Sequence, residues 1–343
     1  MIQNKKILAG LLACLVIIIA SISSLISGPM AIPAVQSLLA VLDLISGGQL
    51  NSLNAHQTIV VQELRLPRTL LALFLGALLA VCGAVTQGVF RNPLADPGVI
   101  GVSSGAGLGA ALAIVVFPTS LAFISTPLAA FVGGLLTTLL VYRLAQSSEG
   151  TSVLILLLAG IAISAFTGAV VGFLSFIAND QALRDLTLWG MGSLSGANFR
   201  HVALTGISCI ILLFFYMKHA SALNALLLGE AEAHHLGIDV ERVKLRLILL
   251  TAAGIGIAVS MAGMIGFIGL VVPHLIRLTL GPDHRYLLPL SALTGAALLL
   301  IADIVARQVL APAELPVGLL TALIGAPFFA ALLLQQRRRL SLI

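Results

Sequence analysis

Charge is what this chain has least of. Asp, Glu, Lys and Arg together make up 9% of its 343 residues, against roughly 25% in a soluble domain, and that deficit excludes a water-soluble globular protein. Aromatic residues are scarce too, at 5% with a single Trp, so the aromatic girdles of a membrane β-barrel are missing. The three cysteines, Cys14, Cys82 and Cys209, each fall inside an apolar run. They supply neither a disulfide framework nor metal-ligand spacing. Signatures of catalysis are absent as well: no G-x-x-x-x-G-K-[ST] phosphate loop, no H-E-x-x-H and no nucleophile elbow occurs, so no enzyme activity and no ATPase of its own is read here. A proton-driven carrier buries a relay of acids or histidines. Here the main intramembrane acid is Asp303, near the outer end of an apolar run.

What the chain does have is apolar length. Hydrophobic residues reach 59% and mean hydropathy is +1.12, while the 33 glycines suit helices packed closely through small side chains. The expected fold is an all-α polytopic bundle forming a single transmembrane domain over residues 1–343. A hydrocarbon core about 30 Å thick takes roughly 17 to 25 apolar residues per helix. Runs of that kind lie near 7–27, 67–89, 99–117, 127–142, 153–176, 202–217, 247–265, 267–280, 287–305 and 316–334. The eighth is short, because Gly and Pro interrupt it between 263 and 282. The first, preceded by Lys5 and Lys6, reads as a retained helix, since "SISSLISG" offers no good cleavage pattern. Ten crossings put both termini on one side. Of the 18 Lys and Arg residues, only Arg65, Arg68, Arg184, Arg200 and Arg307 then fall on the other, so both termini are expected in the cytoplasm. The excess charge of +5 sits in short loops beside anionic lipid, and no nucleic-acid partner is implied.

One polar segment breaks the apolar pattern on the cytoplasmic side: "LLLGEAEAHHLGIDVERVK", residues 226–244. Asn224 can cap a short helix that Gly237 stops, and Asp239 can cap the next. A short helix across the inner mouth cannot bury its apolar side alone, so a partner is expected there; the alternative is a solvated loop. His234 and His235 are helical neighbours that point about 100° apart, unlike an i, i+4 metal pair, and no metal or cofactor is assigned.

The stretches "RLPRTLLALFLGALLAVCGAVTQGVFRNPLADPGVIGVSSGAGLGA" (65–110), "LGEAEAHHLGID" (228–239), "GMIGFIGLVVPHLIRLTLGPDHRYLLPLSALTGAALLLIADIVAR" (263–307) and "ELPVGLLTALIGAPFF" (314–329) closely resemble the FecCD family, permease subunits of ABC importers for iron chelates, heme and cobalamin. That resemblance implies the ten-helix cobalamin-permease fold with inverted repeats, two permease subunits, either a homodimer of this chain or a pair with a second, different permease, two cytoplasmic ATP-binding subunits and a periplasmic binding protein. It implies that residues 225–238 form paired coupling helices seated on the ATPase, with Gly229, Glu230, Ala233 and Gly237 as contact residues. It also implies that Arg65, Arg68 and Arg307 meet acidic knobs of the binding protein, although without the family Arg65 and Arg68 read as well as snorkelling side chains.

The family further implies that the fifth span and the short helix after it line the path, closed inside by the loop "SSEGTSV" (147–153). Thr151 and Ser152 are then gate residues, and both are equally ordinary caps for span five. In "DQALRDLTLWGMGSLSGANF" (180–199), which is similar to heme permeases in particular, Arg184 and Trp189 are path residues. A guanidinium there can pair with a heme propionate or a siderophore oxygen, or Arg184 can pair with Asp185 or Asp180 while Trp189 anchors at the interface. Heme is placed ahead of ferric siderophore, with cobalamin third. The competing class is a stand-alone carrier driven by an ion gradient, in which residues 226–244 are only a loop.

Overall fold

The computed structural model describes residues 2–48, 50–147 and 150–340. Ser148 and Glu149 of the expected gate loop, and the side chains of Arg337, Arg338 and Arg339, lie outside the described residues. The chain is helical almost throughout: α1 (Ile2–Ile26), α2 (Ala34–Ser46), α3 (Ala55–Ile59), α4 (Leu66–Val89), α5 (Val102–Val116), α6 (Ala122–Ala145), α7 (Val153–Ile177), α8 (Asp180–Gly190), α9 (Phe199–Lys218), α10 (Ala220–Leu226), α11 (Glu230–His235), α12 (Val240–Ala262), α13 (Ile268–Leu280), α14 (His284–Val309) and α15 (Val317–Leu340). Each of the ten apolar runs corresponds to one of these helices. Among the described residues seven helices are long and apolar enough to cross a bilayer, while Val102–Val116, Ile268–Leu280 and Val317–Leu332 are shorter apolar helices.

Helix α4 is the axis of the bundle. Nearly all of its residues are buried, and α14, α9, α13 and α12 pack around it. Its small residues let backbones touch: Gly76 lies against the carbonyl of Gly295 on α14, and Gly83 against that of Gly269 on α13. In a lipid solvent such close approach, rather than a hydrophobic drive, holds helices together. The opposite extreme is α7, where Phe166, Phe173 and Phe176 are largely exposed.

Two ends of the bundle can be told apart by their contacts. At one, the Lys6 ammonium stands 3.9 Å from the ring centroid of Tyr286, tying the start of α1 to the start of α14. At the other, Arg307 near the end of α14 reaches Ser24 near the end of α1. The first is called the Lys6 end below, the second the Arg68 end.

Three local features shape the site. Residues 28–66, between the first two apolar runs, contain α2 and α3. Moreover, α3 runs through a π-helical turn, Val60–Arg65, into α4, so Arg65 and Arg68 lie within one continuous helix instead of flanking a helix start. Pro67 explains the turn: it has no N–H to give to the α ladder, and the wider register upstream accommodates it. Second, α13 begins only after an irregular stretch, residues 263–267, in which Phe267 has φ +67. Gly263 and Ile265 are buried and the exposed Gly266 borders a cavity, the two settings in which non-helical chain is tolerated at membrane depth. Third, Asn224 does not cap the start of its own short helix: it sits inside α10, donates to Asp283 and accepts from His284 N–H at the N-terminus of α14.

Candidate functional site

The Lys6 end carries the polar segment. Helices α10 and α11 form a short pair that bends at Gly229, whose φ of +131 admits no ordinary side chain, and α11 is followed by Gly237 at φ +82. Ala233 was expected to contact a partner. Instead it is fully buried with Ala225, Leu226 and Val240, so it seats α11 on its own chain. The outward surface is supplied by Leu228 and Leu236, 68% and 64% exposed, together with Glu232, His234 and His235. Sequence reasoning passed over the two leucines, although exposed leucines bracketing an acidic helix at a membrane edge are a signal of a docking surface.

Glu230 points sideways. Its Oε2 is 2.6 Å from Lys244 Nζ and its Oε1 is 3.6 Å from an Arg91 nitrogen. Lys244 also approaches Glu241 Oε1 at 3.5 Å, and Glu241 Oε2 accepts from the Thr151 hydroxyl at 2.6 Å and the Thr151 N–H at 3.1 Å. Thr151, placed in the gate, is buried. Ser152 caps α7, accepting from Ile155 N–H at 3.4 Å. Asp239 caps α12 through Arg242 N–H. Beside the pair, desolvation alone raises the Asp283 carboxyl, but donation from Asn224 Nδ2 and Arg285 N–H, with Lys6 and Arg285 near, leaves it below the usual carboxylate range.

Between α5, α7 and α8 lies a recess of about 530 Å³ lined by Ser103, Ser104, Ser164, Thr167, Thr187 and Trp189, among others. Its wall combines apolar surface with scattered hydroxyls, and Ser164 donates to Ser104 Oγ at 3.1 Å. Met264, from the irregular stretch before α13, belongs to the same wall. Trp189 thus faces the cavity, whereas Arg184 is exposed on α8. Asp185 is not held by Arg184; it accepts from Gln181 Nε2 at 2.9 Å.

At the Arg68 end the three arginines expected at an open rim are instead turned inward. Arg65, Arg68 and Arg307 are 4%, 8% and 3% exposed. Arg68 Nε and Nη2 both lie 2.9 Å from one oxygen, Oδ1, of the fully buried Asp303, and Nη1 reaches Glu314 at 2.6 Å. Arg307 Nε lies 3.1 Å from Asp303 Oδ2, a contact of charges without hydrogen-bond alignment, and its other nitrogens bind Ser24 Oγ and Ser27 O. Arg65 donates to the carbonyls of Leu25, Ile26 and Met30 at 2.9, 3.1 and 2.6 Å, satisfying the C-terminal end of α1. The physical reason is burial: a desolvated guanidinium is stable only with acceptors around it. Arg65, Arg68 and Arg307 nonetheless line one recess of about 330 Å³ together with Glu314, whose side chain is 33% exposed.

Comparison with known proteins follows the same outline. The sequence model of the FecCD transport family matches residues 10–335. The hemin transport system permease protein HmuU of Yersinia pestis is 50% identical over 282 residues, 81% of this chain and 84% of that protein. The cobalamin import system permease protein BtuC of Halobacterium salinarum is 45% identical over 281 residues, 82% and 75% of the two chains. A metal-chelate type ABC transporter solved in an inward-facing conformation superposes with TM-score 0.80 at 34% identity, covering 95% of this chain and 98% of that one.

Proposed function

We propose that this chain, which belongs to the FecCD transport family, is the permease subunit of a bacterial ABC importer that carries an iron chelate inward, with heme as the first candidate cargo. The observation that carries the reading is the 50% identity to a hemin permease across most of both chains; ferric siderophore follows, and cobalamin, the cargo named for the 45% identical relative, is third. Two copies of a cytoplasmic ATP-binding subunit supply the energy, a periplasmic protein delivers the cargo, and a second copy of this chain completes the path. Both termini lie in the cytoplasm of the inner membrane, so the Lys6 end is the inner one.

In this reading the exposed face of α10–α11 is the seat of the ATPase, with Leu228 and Leu236 as apolar anchors and Glu232 at the rim. Gly229 and Gly237 give the pair its shape, and Glu230 holds its orientation. Thr151 and Ser152 close the inner end of the path, while Trp189 and the serine and threonine hydroxyls line it; Arg184 stands at its outer mouth. A stand-alone proton-driven carrier is disfavoured because Asp303, the acid such a carrier needs, is held between Arg68 and Arg307.

The test is uptake of hemin into liposomes by the chain assembled with its ATPase. Glu230→Arg places a third cation beside Arg91 and Lys244, so ATP-dependent uptake is expected to fall to background. Transport by the lone chain under a proton gradient would instead establish the carrier reading.

Binding-protein docking is assigned to the recess at the Arg68 end. An acidic knob reaches Arg68 only by displacing Glu314. Glu314→Gln therefore removes the competing charge, and binding-protein affinity is expected to rise severalfold at low salt, with a steeper loss as salt screens the new pair. Unchanged affinity across a salt series would place docking elsewhere.

A further inference from the structure

We propose that Lys244 and Glu241 tie the coupling helix α11 to the gate loop before α7, so that displacement of α11 by the ATPase is passed to Thr151 through two side chains of α12; this inference rests on the permease reading above. Lys244 and Glu241 are one helical turn apart at the start of α12 and move as one body with it. Each faces a different neighbour. Lys244 Nζ, on a side chain only 2% exposed, is 2.6 Å from Glu230 on α11. Glu241 turns one oxygen toward Lys244 and gives the other to the hydroxyl and N–H of Thr151.

The links alternate in sign, Arg91 to Glu230 to Lys244 to Glu241, and the last ends on two donors of the loop. Charge-assisted bonds of this kind are the strong ones, and partial burial makes them stronger than at an open surface. Both ends of the chain also need the support. Helix α11 has six residues, too few to persist unaided, and it leans on α10 and α12. The loop is held by the pairing of Gln146 with Thr151 and Ser147 with Gly150. Gly150, at φ +111, brings its backbone so near Glu241 that a Cβ there would stand 3.1 Å from Oε1. A lysine placed merely to solubilise the membrane surface would extend into water. This one is covered, between carboxylates of two elements. Lys244 and Glu241 are positioning residues: neither touches cargo or nucleotide, and they act through the orientation of Thr151.

The experiment uses the full complex with its ATPase and a thiol reporter, Gln146→Cys, at an exposed position of the loop, in a background where the exposed Cys14 is replaced by Ser. Labelling rate is compared with and without bound nucleotide, and uptake is expressed per ATP hydrolysed. With Lys244 and Glu241 intact, labelling is expected to change on nucleotide binding. In Lys244→Met, which keeps the aliphatic stem, and in Thr151→Val, which keeps the shape of the far end, that change is expected to vanish. Uptake per ATP should fall roughly tenfold, the scale of coupling between linked sites, with ATPase association retained. Glu241→Gln serves if Lys244→Met does not assemble. Variants that assemble yet keep both the nucleotide-dependent labelling and the coupling ratio overturn the proposal. Failure of the unmodified chain to bind any ATPase sinks the permease reading itself, a different and separately visible result.

Discussion

Asp303→Leu is expected to be the most destabilising single substitution at the Arg68 end of the bundle. The carboxylate is fully buried and is shared by two guanidinium groups, on α4 and α14. Leucine fills comparable space, so packing is not what is lost. Two nearly covered cations remain, Arg68 with only Glu314 and Arg307 with only the neutral oxygens of Ser24 and Ser27. Removing one partner of a buried ion pair costs about 3–5 kcal/mol, and a fall in thermal midpoint of the detergent-solubilised protein, with loss of monodisperse yield, should report it. The cost comes from the orphaned charges, so it should shrink when they are removed as well. Asp303→Leu combined with Arg68→Met and Arg307→Met is therefore expected to recover much of the midpoint, since apolar replacement of an entire buried charge set is often close to neutral. If the triple variant is as unstable as the single one, the cluster is held by geometry and not by charge balance. The same reasoning bears on docking. Arg68→Glu sets a third carboxylate against Asp303 and Glu314, so loss of binding-protein affinity in that variant would report misfolding, and Glu314→Gln is the cleaner probe.

Which features were legible beforehand follows the range of the interactions that make them. Apolar runs set the membrane helices directly, because lipid leaves a spanning segment no other way to satisfy its backbone. Gly237 and Asp239 were readable as stop and cap because both act within a few residues of themselves. The arginine cluster was not readable. Arg68 and Asp303 are separated by 235 positions, and charges at the ends of apolar runs ordinarily snorkel, so nothing local distinguishes a buried pair from a rim. Ala233 failed for a similar reason: on a six-residue helix either face can be the apolar one, and only the position of Leu226 and Val240 decides. Residues 34–65 were missed because Pro33, Pro67 and a π turn break the usual helical spacing there. Lys244 carried a faint signal, the i, i+3 spacing from Glu241, but its bond to Glu230 spans a turn between helices and emerges only from the fold.

The crossing of α4 with α13 admits an equally sharp expectation. A Cβ built on Gly83 would overlap the carbonyl oxygen, carbonyl carbon and Cα of Gly269, all backbone atoms that no rotamer change can move aside. Gly83→Ala gains helix propensity of about 0.8–1.0 kcal/mol, but overpacking typically costs 1–3 kcal/mol and occasionally more, and a backbone obstacle belongs at the upper end. Separation of the helices would also pull Gln87 Nε2 from the carbonyl of Leu270, now at 3.0 Å, leaving the buried amide donor of Gln87 unpaired. The net effect expected for Gly83→Ala is destabilisation, and for Gly83→Leu loss of folded protein. The control lies on α7, where Gly172 has nothing within 4 Å of a built Cβ. Gly172→Ala should leave the thermal midpoint of the isolated chain unchanged or slightly raised. If the two alanine variants melt alike, close backbone contact at Gly83 is not what holds α13 to α4, and the position of the irregular stretch at 263–267, with the cavity wall it supplies through Met264, must be set by another contact.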